Sequence, residues 1–322
     1  MSLVDVVIPT YNRPDRLLRT LESLQRQPFR RFAVFVVDDG STPAVEPSIP
    51  SALWEGLELR VIRIENGGPA RARNVGLAAG SAPFIAFIDD DVVAAPGWFE
   101  AHLGAIGGAP NTASIGPLLA PADWRPTPWN AWEAETLRRE YARMELGVYA
   151  PTWRQFFTGN ALVRRSEVLE AGAFNPAFTR AEDIDLGLRL HDRGTRFVLT
   201  PGAVGWHYAH RSLESWLRIP RAYAEFDAAI DRARPGLRWL ETIREERARR
   251  SRWMLAARKL LASPLARAAA RRPLIAVAGA AFAAGQAKAA NRALSLVYDL
   301  EYSASLRSVE AEAASGCDPC RA

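Results

Sequence analysis

The chain has 322 residues and a formal net charge of +5, with 48% hydrophobic and 24% charged residues. These fractions are close to the average for globular proteins that fold in water, which excludes wholesale disorder and a polytopic membrane protein. The positive charge is local, because residues 238–272 carry 11 Arg and Lys against 3 Glu. The composition therefore gives no general case for nucleic-acid binding, although one segment is basic.

Four short apolar runs, rich in β-branched or aromatic residues, are typical of strands buried on both faces. They are Val4–Ile8, Phe32–Val37, Leu59–Ile64 and Phe84–Ile88. Leucines at three- and four-residue spacing after Pro14 predict a helix, and a second is predicted over Pro69–Gly80, which opens with Pro and stops at Gly. The order β-α-β-β-α-β predicts an open α/β sandwich with helices on both faces of the sheet.

The elements after residue 95 are predicted in the same way. They are a helix over Pro96–Gly107, a strand over Ala113–Leu118, a loop and surface helix over Trp124–Leu146, a strand over Phe156–Val163, a helix over Glu182–Arg193, and short strands over Phe197–Thr200 and Ala203–Trp206. From about Ser212, Ala, Arg and Leu replace glycine and β-branched residues. We therefore predict an α/β domain over residues 1–215 and a helical extension with a polar tail over residues 216–322.

Two acidic clusters follow predicted strands, at the edge where ligands bind in open α/β sheets. Asp38 and Asp39 end the second strand, and Asp89, Asp90 and Asp91 end the fourth. Asp-Gly and Asp-Asp sequences also form turns, but adjacent carboxylates repel and usually need a cation or hydrogen-bond donors between them. Asp89 and Asp91 are thus candidate oxygen ligands of Mg²⁺ or Mn²⁺, which in turn would hold a diphosphate.

Several other site classes are disfavoured by the sequence. The first strand ends in Pro9-Thr10-Tyr11-Asn12-Arg13, and the absence of GxGxxG and GxxxxGK[ST] argues against a dinucleotide fold and a P-loop NTPase. The two cysteines, Cys317 and Cys320, form half of a zinc pattern at best, and an unstructured tail is the simpler interpretation. The first residues lack a basic segment followed by a long apolar run, which predicts no signal peptide and a cytoplasmic location.

Seven segments carry a more specific pattern: VVIPTYNRPDRLLRTLESL, VVDDGST, GGPARARNVGLAAG, FIAFIDDDVVAAPGWFE, TGNALVRRSEVLEAGAF, AEDIDLGLRLHDRG and the His207 that follows the last strand. In this order and spacing, over roughly residues 3–210, they resemble the family 2 glycosyltransferases with the GT-A fold. The resemblance implies an open mixed, mostly parallel sheet flanked by helices. It also implies a metal-dependent, inverting transfer from a nucleotide diphosphate sugar, UDP-sugar being favoured, to a hydroxyl acceptor such as a lipid-linked or cell-envelope glycan.

The resemblance also assigns a nucleotide site. Thr10 and Tyr11 are expected to line the base and ribose pocket, with Asp38 accepting a hydrogen bond from the ring N–H of uracil or a similar base. Arg73 and Asn74 are expected to buttress the site, and Arg71 is either a further buttress or a residue of the helix surface. The full nucleotide-binding set implied is Pro9, Thr10, Tyr11, Arg13, Asp38, Arg73, Asn74, Asp89 and Asp90.

The same resemblance assigns metal ligation to Asp91 and His207, with Mn²⁺ or Mg²⁺ as cofactor. A structural role for His207, or ligation by His210, stays open. For Glu182 and Asp183, at the start of a helix, the alternative is favourable charge at the positive end of the helix dipole.

The resemblance places the catalytic base at Asp183. Asp185 faces another side of the helix, so the two cannot both enter the cleft. Gly159, Asn160 and Glu182 are expected to border the sugars.

Two rival functions are weighed against this one. A sugar-phosphate nucleotidyltransferase needs a glycine-rich loop and a lysine near the first strand, and the chain has neither. A non-catalytic sugar-nucleotide-binding or scaffold protein has no need of the intact acidic clusters and base.

The basic C-terminal segment, with interleaved apolar residues, predicts contact with an anionic membrane surface. The alternative is that this segment packs on the protein itself or on a second subunit. Leu274–Ala284 is too short to cross a bilayer.

Overall fold

The computed structural model describes residues 2–178 and 180–314, so Cys317 and Cys320 lie outside the described residues. The chain divides into two compact units, one of Met1–Arg125 with Ala134–Ala209 and one of Pro126–Glu133 with His210–Ala322. The predicted domain boundary between residues 215 and 216 stays a prediction.

The first unit holds all ten strands of the described ranges. They are β1 (Val4–Thr10), β2 (Phe32–Asp38), β3 (Leu59–Arg63), β4 (Phe84–Ile88), β5 (Val92–Ala94), β6 (Thr112–Ile115), β7 (Leu118–Leu119), β8 (Asn160–Arg164), β9 (Arg196–Leu199) and β10 (Gly205–His207). Seven of them form one sheet in the order β3-β2-β1-β4-β8-β6-β9, in which only β8 runs antiparallel to its neighbours. The predicted fold class, mixed and mostly parallel, is confirmed.

The helices of the first unit cover this sheet. They are α1 (Pro14–Gln25), α2 (Ser51–Gly56), α3 (Gly68–Ala79), α4 (Trp98–Ile106), most of α5 (Pro128–Glu145), α6 (Arg165–Glu170) and α7 (Glu182–Asp192). The leucine spacing of α1 has its expected effect, since Leu17, Leu21 and Leu24 are fully buried in the core. Burial of that kind stabilises the fold by about 1.5–3 kcal/mol per side chain.

Register in the sheet positions the acidic clusters. In β1 and β2, Thr10 lies opposite Asp38, so these two strands end at the same edge. The strand β4 runs parallel to β1 and leads directly into Asp89. A small second sheet, in the order β5-β10-β7, pairs His207 with Val92 immediately after this cluster. The carboxyl ends of the strands and His207 therefore converge, as the rule for open α/β sheets predicts.

Several elements differ from their predicted form. The helix α2 lies between β2 and β3, so the order is β-α-β-α-β-α-β rather than β-α-β-β-α-β. The predicted strand over Ala113–Leu118 is broken at Gly116, where a Cβ atom would lie 2.2 Å from the carbonyl oxygen of Ala203. The predicted strand over Phe156–Val163 begins only at Asn160. Short elements were missed because a few residues do not establish a period.

The second unit is helical, as expected for the C-terminal region. It contains α8 (Leu213–Ala233), α9 (Trp239–Ala248), α10 (Arg252–Leu260), α11 (Pro264–Ala283) and α12 (Ala287–Ala314). Its core includes Trp216 and Leu294, with Trp129 and Trp132 of the 126–133 segment packed against it. The indole Nε1 of Trp132 donates to Ser295 Oγ at 2.8 Å. Among the described residues, none of the helices combines the length and apolar character that crossing a membrane requires.

Candidate functional site

Asp90 ties the end of β4 to the start of α1. Its carboxylate accepts hydrogen bonds from the Thr10 hydroxyl at 2.7 Å and from Arg13 Nη1 at 3.2 Å, and its main-chain oxygen accepts from the Thr20 hydroxyl at 3.0 Å. Burial, followed by the charge of Asp91, raises the pKa of Asp90 to about 6. Asp90 and Thr10 are both buried, so they fix the backbone around the cleft. Their direct contact with a nucleotide stays a prediction.

Asp91 lies beside His207 and two arginines. The Oδ1 atom of Asp91 is 3.4 Å from His207 Nε2, and its Oδ2 atom is 3.6 Å from Arg16 Nη1 and 3.7 Å from Arg13 Nη1. Burial opposes ionisation, but His207 and the two guanidinium groups hold the pKa of Asp91 at about 2. Asp91 is therefore a carboxylate that is ionised at neutral pH, next to an imidazole. Arg16, in the first turn of α1, was not predicted to take part.

Two donor atoms at this position, Asp91 Oδ1 and His207 Nε2, have the spacing of adjacent ligands of a divalent cation, while Arg13 and Arg16 lie beside the other oxygen of Asp91. Adjacent ligands of an octahedral cation at roughly 2.1 Å lie about 3 Å apart, which is close to the observed separation of Asp91 and His207. In the part of the chain that the structure covers, no group of three or more His, Cys, Asp or Glu side chains is arranged to hold a metal. Further ligands would have to come from water and a bound diphosphate, which is how Mg²⁺ is usually held in enzymes that act on nucleotides.

Arg73 links the acidic cluster after β4 to the start of α7. Its Nη2 donates to Asp89 Oδ1 and its Nη1 donates to Glu182 Oε1, both at 2.7 Å. Arg73 is buried, whereas the side chain of Asp89 is 37% exposed and can still meet a ligand. Gly159 lies against Asp89, since a Cβ atom there would be 2.8 Å from Asp89 Oδ2. Glu182 is thus placed by Arg73.

Neighbouring contacts fix both helices that Arg73 joins. The side chain of Asn74 donates to the Phe174 carbonyl at 2.8 Å and accepts from the Phe174 N–H at 2.9 Å, which anchors the segment leading to α7. At the start of α3, Asp39 accepts from the N–H groups of Gly67 and Gly68 at 2.8 and 2.9 Å. This role of Asp39 was not predicted, because an Asp-Gly pair does not indicate which distant loop it will bind.

The first turn of α7 carries three acids in different environments. Glu182 binds Arg73, and Asp185 binds Arg189 at 2.6 Å. Asp183 is half-buried and forms no ion pair with any residue that the structure describes; its Oδ1 accepts from the Ile184 N–H at 2.8 Å. Burial, and then the charge of Glu182, raise the pKa of Asp183 to about 7, with Arg73 acting in the opposite direction. A carboxyl group poised near neutral pH is suited to act as a general base.

Asp38 and Asn160 are buried and bonded within the protein. The oxygens of Asp38 accept from the N–H groups of Ser41 at 2.8 Å and Val45 at 3.2 Å, and its contact with a base stays a prediction. Asn160 is fully buried, and its contact with a sugar likewise stays a prediction. Tyr11, by contrast, is 48% exposed beyond β1 and can present its ring to a ligand.

All the hydrogen-bonding groups of Asn160 have internal partners. Its Oδ1 accepts from Trp98 Nε1 at 2.7 Å and contacts His102 Nε2 at 3.1 Å, and its Nδ2 donates to the carbonyls of Pro117 and Ala203. Replacing Asn160 with Ala leaves several of these buried groups unsatisfied, each at a cost of about 1–3 kcal/mol. We expect a loss of at least about 3 kcal/mol in the free energy of unfolding, measured by urea denaturation. Unchanged stability with a selective defect in sugar use would contradict this role.

Comparison with known proteins gives one family and one fold. The profile of the family described as Glycosyl transferase family 2 matches residues 5–171. The chain is 32% identical over 216 residues to the pre-mycofactocin glycosyltransferase of Mycobacterium tuberculosis, covering 66% of this chain and 44% of that protein. It is 31% identical over 239 residues to the validoxylamine A glucosyltransferase of Streptomyces hygroscopicus subsp. jinggangensis, covering 65% and 56%. The chain thus spans about half the length of the curated relatives it matches.

Among solved structures, S. aureus TarS 1–349 in complex with UDP aligns over 98% of this chain and 92% of that one, with a TM-score of 0.54 and 19% identity. The structure of TarS 1–349 described without UDP gives a TM-score of 0.52 and 20% identity. At this level of identity the likeness concerns the fold, and it agrees with the arrangement of sheet and helices described above.

Proposed function

Because the chain belongs to glycosyl transferase family 2, we propose that it transfers a sugar from a nucleoside diphosphate sugar to a hydroxyl acceptor, with inversion at the anomeric carbon. The observation that carries this proposal is the pair of bonds from Arg73, which holds the Asp89 cluster and the first turn of α7 in one frame. One end of that frame carries donor-side carboxylates, and the other carries Asp183, the candidate base. UDP is the nucleotide we propose to test first.

On the donor side, the residues proposed to meet a nucleoside diphosphate and its cation are Arg13, Asp89, Asp91 and His207. The side chain of Arg13 is 46% exposed and points toward Asp90 and Asp91, where it can also bind phosphate oxygens. Asp91 and His207 would hold Mn²⁺ or Mg²⁺. When bound, such a cation stabilises the charge that develops on the departing diphosphate. Asp89, bound to Arg73, is left to accept a hydrogen bond from the ribose or the sugar.

On the acceptor side, Asp183 takes the proton of the attacking hydroxyl. The acceptor oxygen forms a bond to the anomeric carbon while the bond from that carbon to the diphosphate oxygen breaks, and the electron pair leaves with the diphosphate. A single displacement of this kind inverts the anomeric configuration and requires no covalent enzyme intermediate. The base must be ionised to act, so its pKa near 7 makes the ionised form abundant at neutral pH.

The rival functions account for less of this geometry. A protein that only binds sugar nucleotides has no use for a half-buried carboxyl group with a raised pKa, whereas a general base is most efficient when its pKa lies near the operating pH. A nucleotidyltransferase would need a glycine-rich loop at the end of β1, where this chain has Pro9, Thr10 and Tyr11. A screen of UDP-, GDP- and dTDP-sugars, read as release of the nucleoside diphosphate, separates the cases. No release from any donor with any hydroxyl acceptor would favour the binding-protein alternative.

For the acceptor, we propose a chemical class and not an individual molecule. The two relatives named above carry different molecules in their names, pre-mycofactocin and validoxylamine A, so the shared requirement we infer is an accessible hydroxyl group. A lipid-linked or cell-envelope glycan is the acceptor class we propose to test first. Transfer to such a glycan, compared with transfer to simple soluble sugars, would decide this part of the proposal.

Metal dependence gives a direct prediction. We expect UDP to bind more tightly with Mn²⁺ than with EDTA, and Asp91→Ala to weaken the Mn²⁺-dependent binding by at least about tenfold, because one of two protein ligands is lost. Isothermal titration calorimetry measures both effects. Asp15→Ala, the same change at an exposed carboxylate of α1, is the matched control. Equal UDP affinity with Mn²⁺ and with EDTA would remove the metal from the proposal.

A further inference from the structure

The C-terminal helices contain a long segment without acidic residues. Residues 252–298 include no Asp or Glu but eight Arg and Lys. Three of these cations find partners on α12: Arg258 lies 3.9 Å from Asp299, and Arg267 and Arg271 lie 4.0 and 3.8 Å from Glu301. The other five form no ion pair with a residue inside the described ranges; they are Arg252, Lys259, Arg272, Lys288 and Arg292. A set of unpaired cations attracts an anionic partner.

Large apolar side chains are exposed in the same segment. Leu260 is 80% exposed at the end of α10, and Leu265 is 85% exposed just after the start of α11, so the two leucines flank the short turn between these helices. Trp253 is 44% exposed and lies seven residues before Leu260, which places both on one face of α10. Single exposed leucines are common, but two beside a tryptophan and unpaired cations form an amphipathic surface.

A cavity adjoins this surface. It has a volume of about 470 Å³ and is lined by Trp253, Leu274, Ala289, Arg292, Ala293 and Leu296. Five of the six lining residues are apolar, and the sixth is one of the unpaired arginines. An apolar cavity beside a cation suits a molecule with a hydrocarbon part and an anionic group. An anionic lipid has both.

We propose that this surface, formed by Arg252, Trp253, Lys259, Leu260, Leu265 and Arg272 and called here the corner surface, docks the protein on an anionic lipid bilayer. Leu260 and Leu265 enter the boundary between headgroups and acyl chains, while Lys259 and Arg272 contact the lipid phosphates. Basic helices with exposed apolar residues bind membranes in this interfacial way, without crossing them.

The charge of the corner surface argues against a second copy of the chain as its partner. A two-fold interface would place the same patch on both copies, and Arg252, Lys259 and Arg272 would then face the same three cations of the other copy, with no acidic residue in the corner surface to separate them. A bilayer of anionic lipids supplies both the opposite charge and an apolar layer for the leucines. An acidic polymer supplies only the charge.

Co-sedimentation of the full-length protein with vesicles tests the proposal. We expect it to pellet with vesicles of phosphatidylglycerol and phosphatidylcholine in equal parts, but not with phosphatidylcholine alone, and to be released by roughly 0.5 M salt. Leu260→Ser with Leu265→Ser should lower the partition coefficient by at least about tenfold, because inserted apolar area is lost. Lys259→Gln with Arg272→Gln should lower it about fivefold per charge.

Matched controls keep the test specific. Leu237→Ser changes an exposed leucine elsewhere in the second unit, and Arg218→Gln with Arg221→Gln removes two exposed charges from α8. These variants should pellet almost as wild type, and all variants should keep the wild-type melting temperature.

Three results would overturn the proposal. They are no pelleting at low salt, equal pelleting of the corner variants and wild type, and a change of oligomeric state in the corner variants with vesicle binding intact. None of these readouts depends on sugar transfer.

Discussion

The Asp183→Asn variant is expected to transfer sugar about 10²- to 10⁴-fold more slowly than the wild-type protein, while its affinity for UDP stays nearly the same. The reason is that Asn keeps the shape of Asp but cannot accept the hydroxyl proton. Nucleotide binding should persist because the donor-side residues Arg13, Asp89 and Asp91 are unchanged. Single-turnover transfer measures the first quantity and calorimetry with UDP measures the second.

Asp185→Asn is the control for this experiment, since it makes the same chemical change two residues away on α7. Asp185 is already bound to Arg189, so its loss should affect stability more than the rate of transfer. If Asp183→Asn transfers sugar at nearly the wild-type rate, the base lies elsewhere, with Asp185 or Glu182 as the next candidates.

The raised pKa of Asp183 predicts opposite effects of pH: the rate of sugar transfer rises with pH, whereas the stability of the fold falls. For transfer, the rate should fall as pH drops through about 7, because the base becomes protonated. For stability, a carboxyl group whose pKa is raised by folding favours the fold when protonated, so its ionisation destabilises the fold increasingly as pH rises from about 4 to about 7. Asp183→Asn should therefore raise the melting temperature at pH 8 and have little effect near pH 4. A lower melting temperature at pH 8 would contradict the raised pKa.

Arg73→Gln is expected to have the largest effect on stability. It leaves Glu182 buried, and Asp89 partly buried, without their shared cation, and removing one partner of a buried ion pair typically costs about 3–5 kcal/mol. The pKa of Asp183 should also rise, because Arg73 is the charge that lowers it. The variant should thus unfold at lower urea concentration, and its rate profile should move to higher pH.

Two variants on the same helix make this prediction specific. Arg73→Lys keeps the charge, but a lysine lacks the two separate nitrogens through which the planar guanidinium group binds Asp89 and Glu182. We therefore expect this variant to have an intermediate stability and a pH profile near that of the wild-type protein. Arg71→Gln removes an exposed arginine of α3 and should change neither quantity. A pH profile unchanged by Arg73→Gln would mean that Arg73 does not act on Asp183.

The sequence predicts the strands that carry the site better than it predicts the partners of individual polar side chains. The strands β1, β2 and β4 were predictable because short continuous apolar runs rich in β-branched and aromatic residues are typical of buried strands, and with them the edge that carries Asp89 to Asp91. The helix α2 and the strand β5 were not, since each is too short to show a period.

Individual polar residues were harder to place because their partners are distant in sequence. Asn160 lies in a predicted strand and is expected to border the sugars, yet its side chain binds Trp98 and His102, about sixty positions away. Asp38 similarly binds a loop that closes behind it. A motif indicates that a polar residue is needed, but whether its partner is a ligand or the protein depends on the fold.

The helix α5 has a consequence for how such proteins can recombine. Its first residues carry Trp129 and Trp132, which pack in the core of the second unit, while Ala134 and the residues after it belong to the first. A single crossover between two related genes near residue 210 would yield a chimera with tryptophans from one parent and the helices around them from the other. An exchange of the intact second unit between relatives would therefore have to include residues 126–133 as well as the C-terminal helices, through separate crossovers around both stretches.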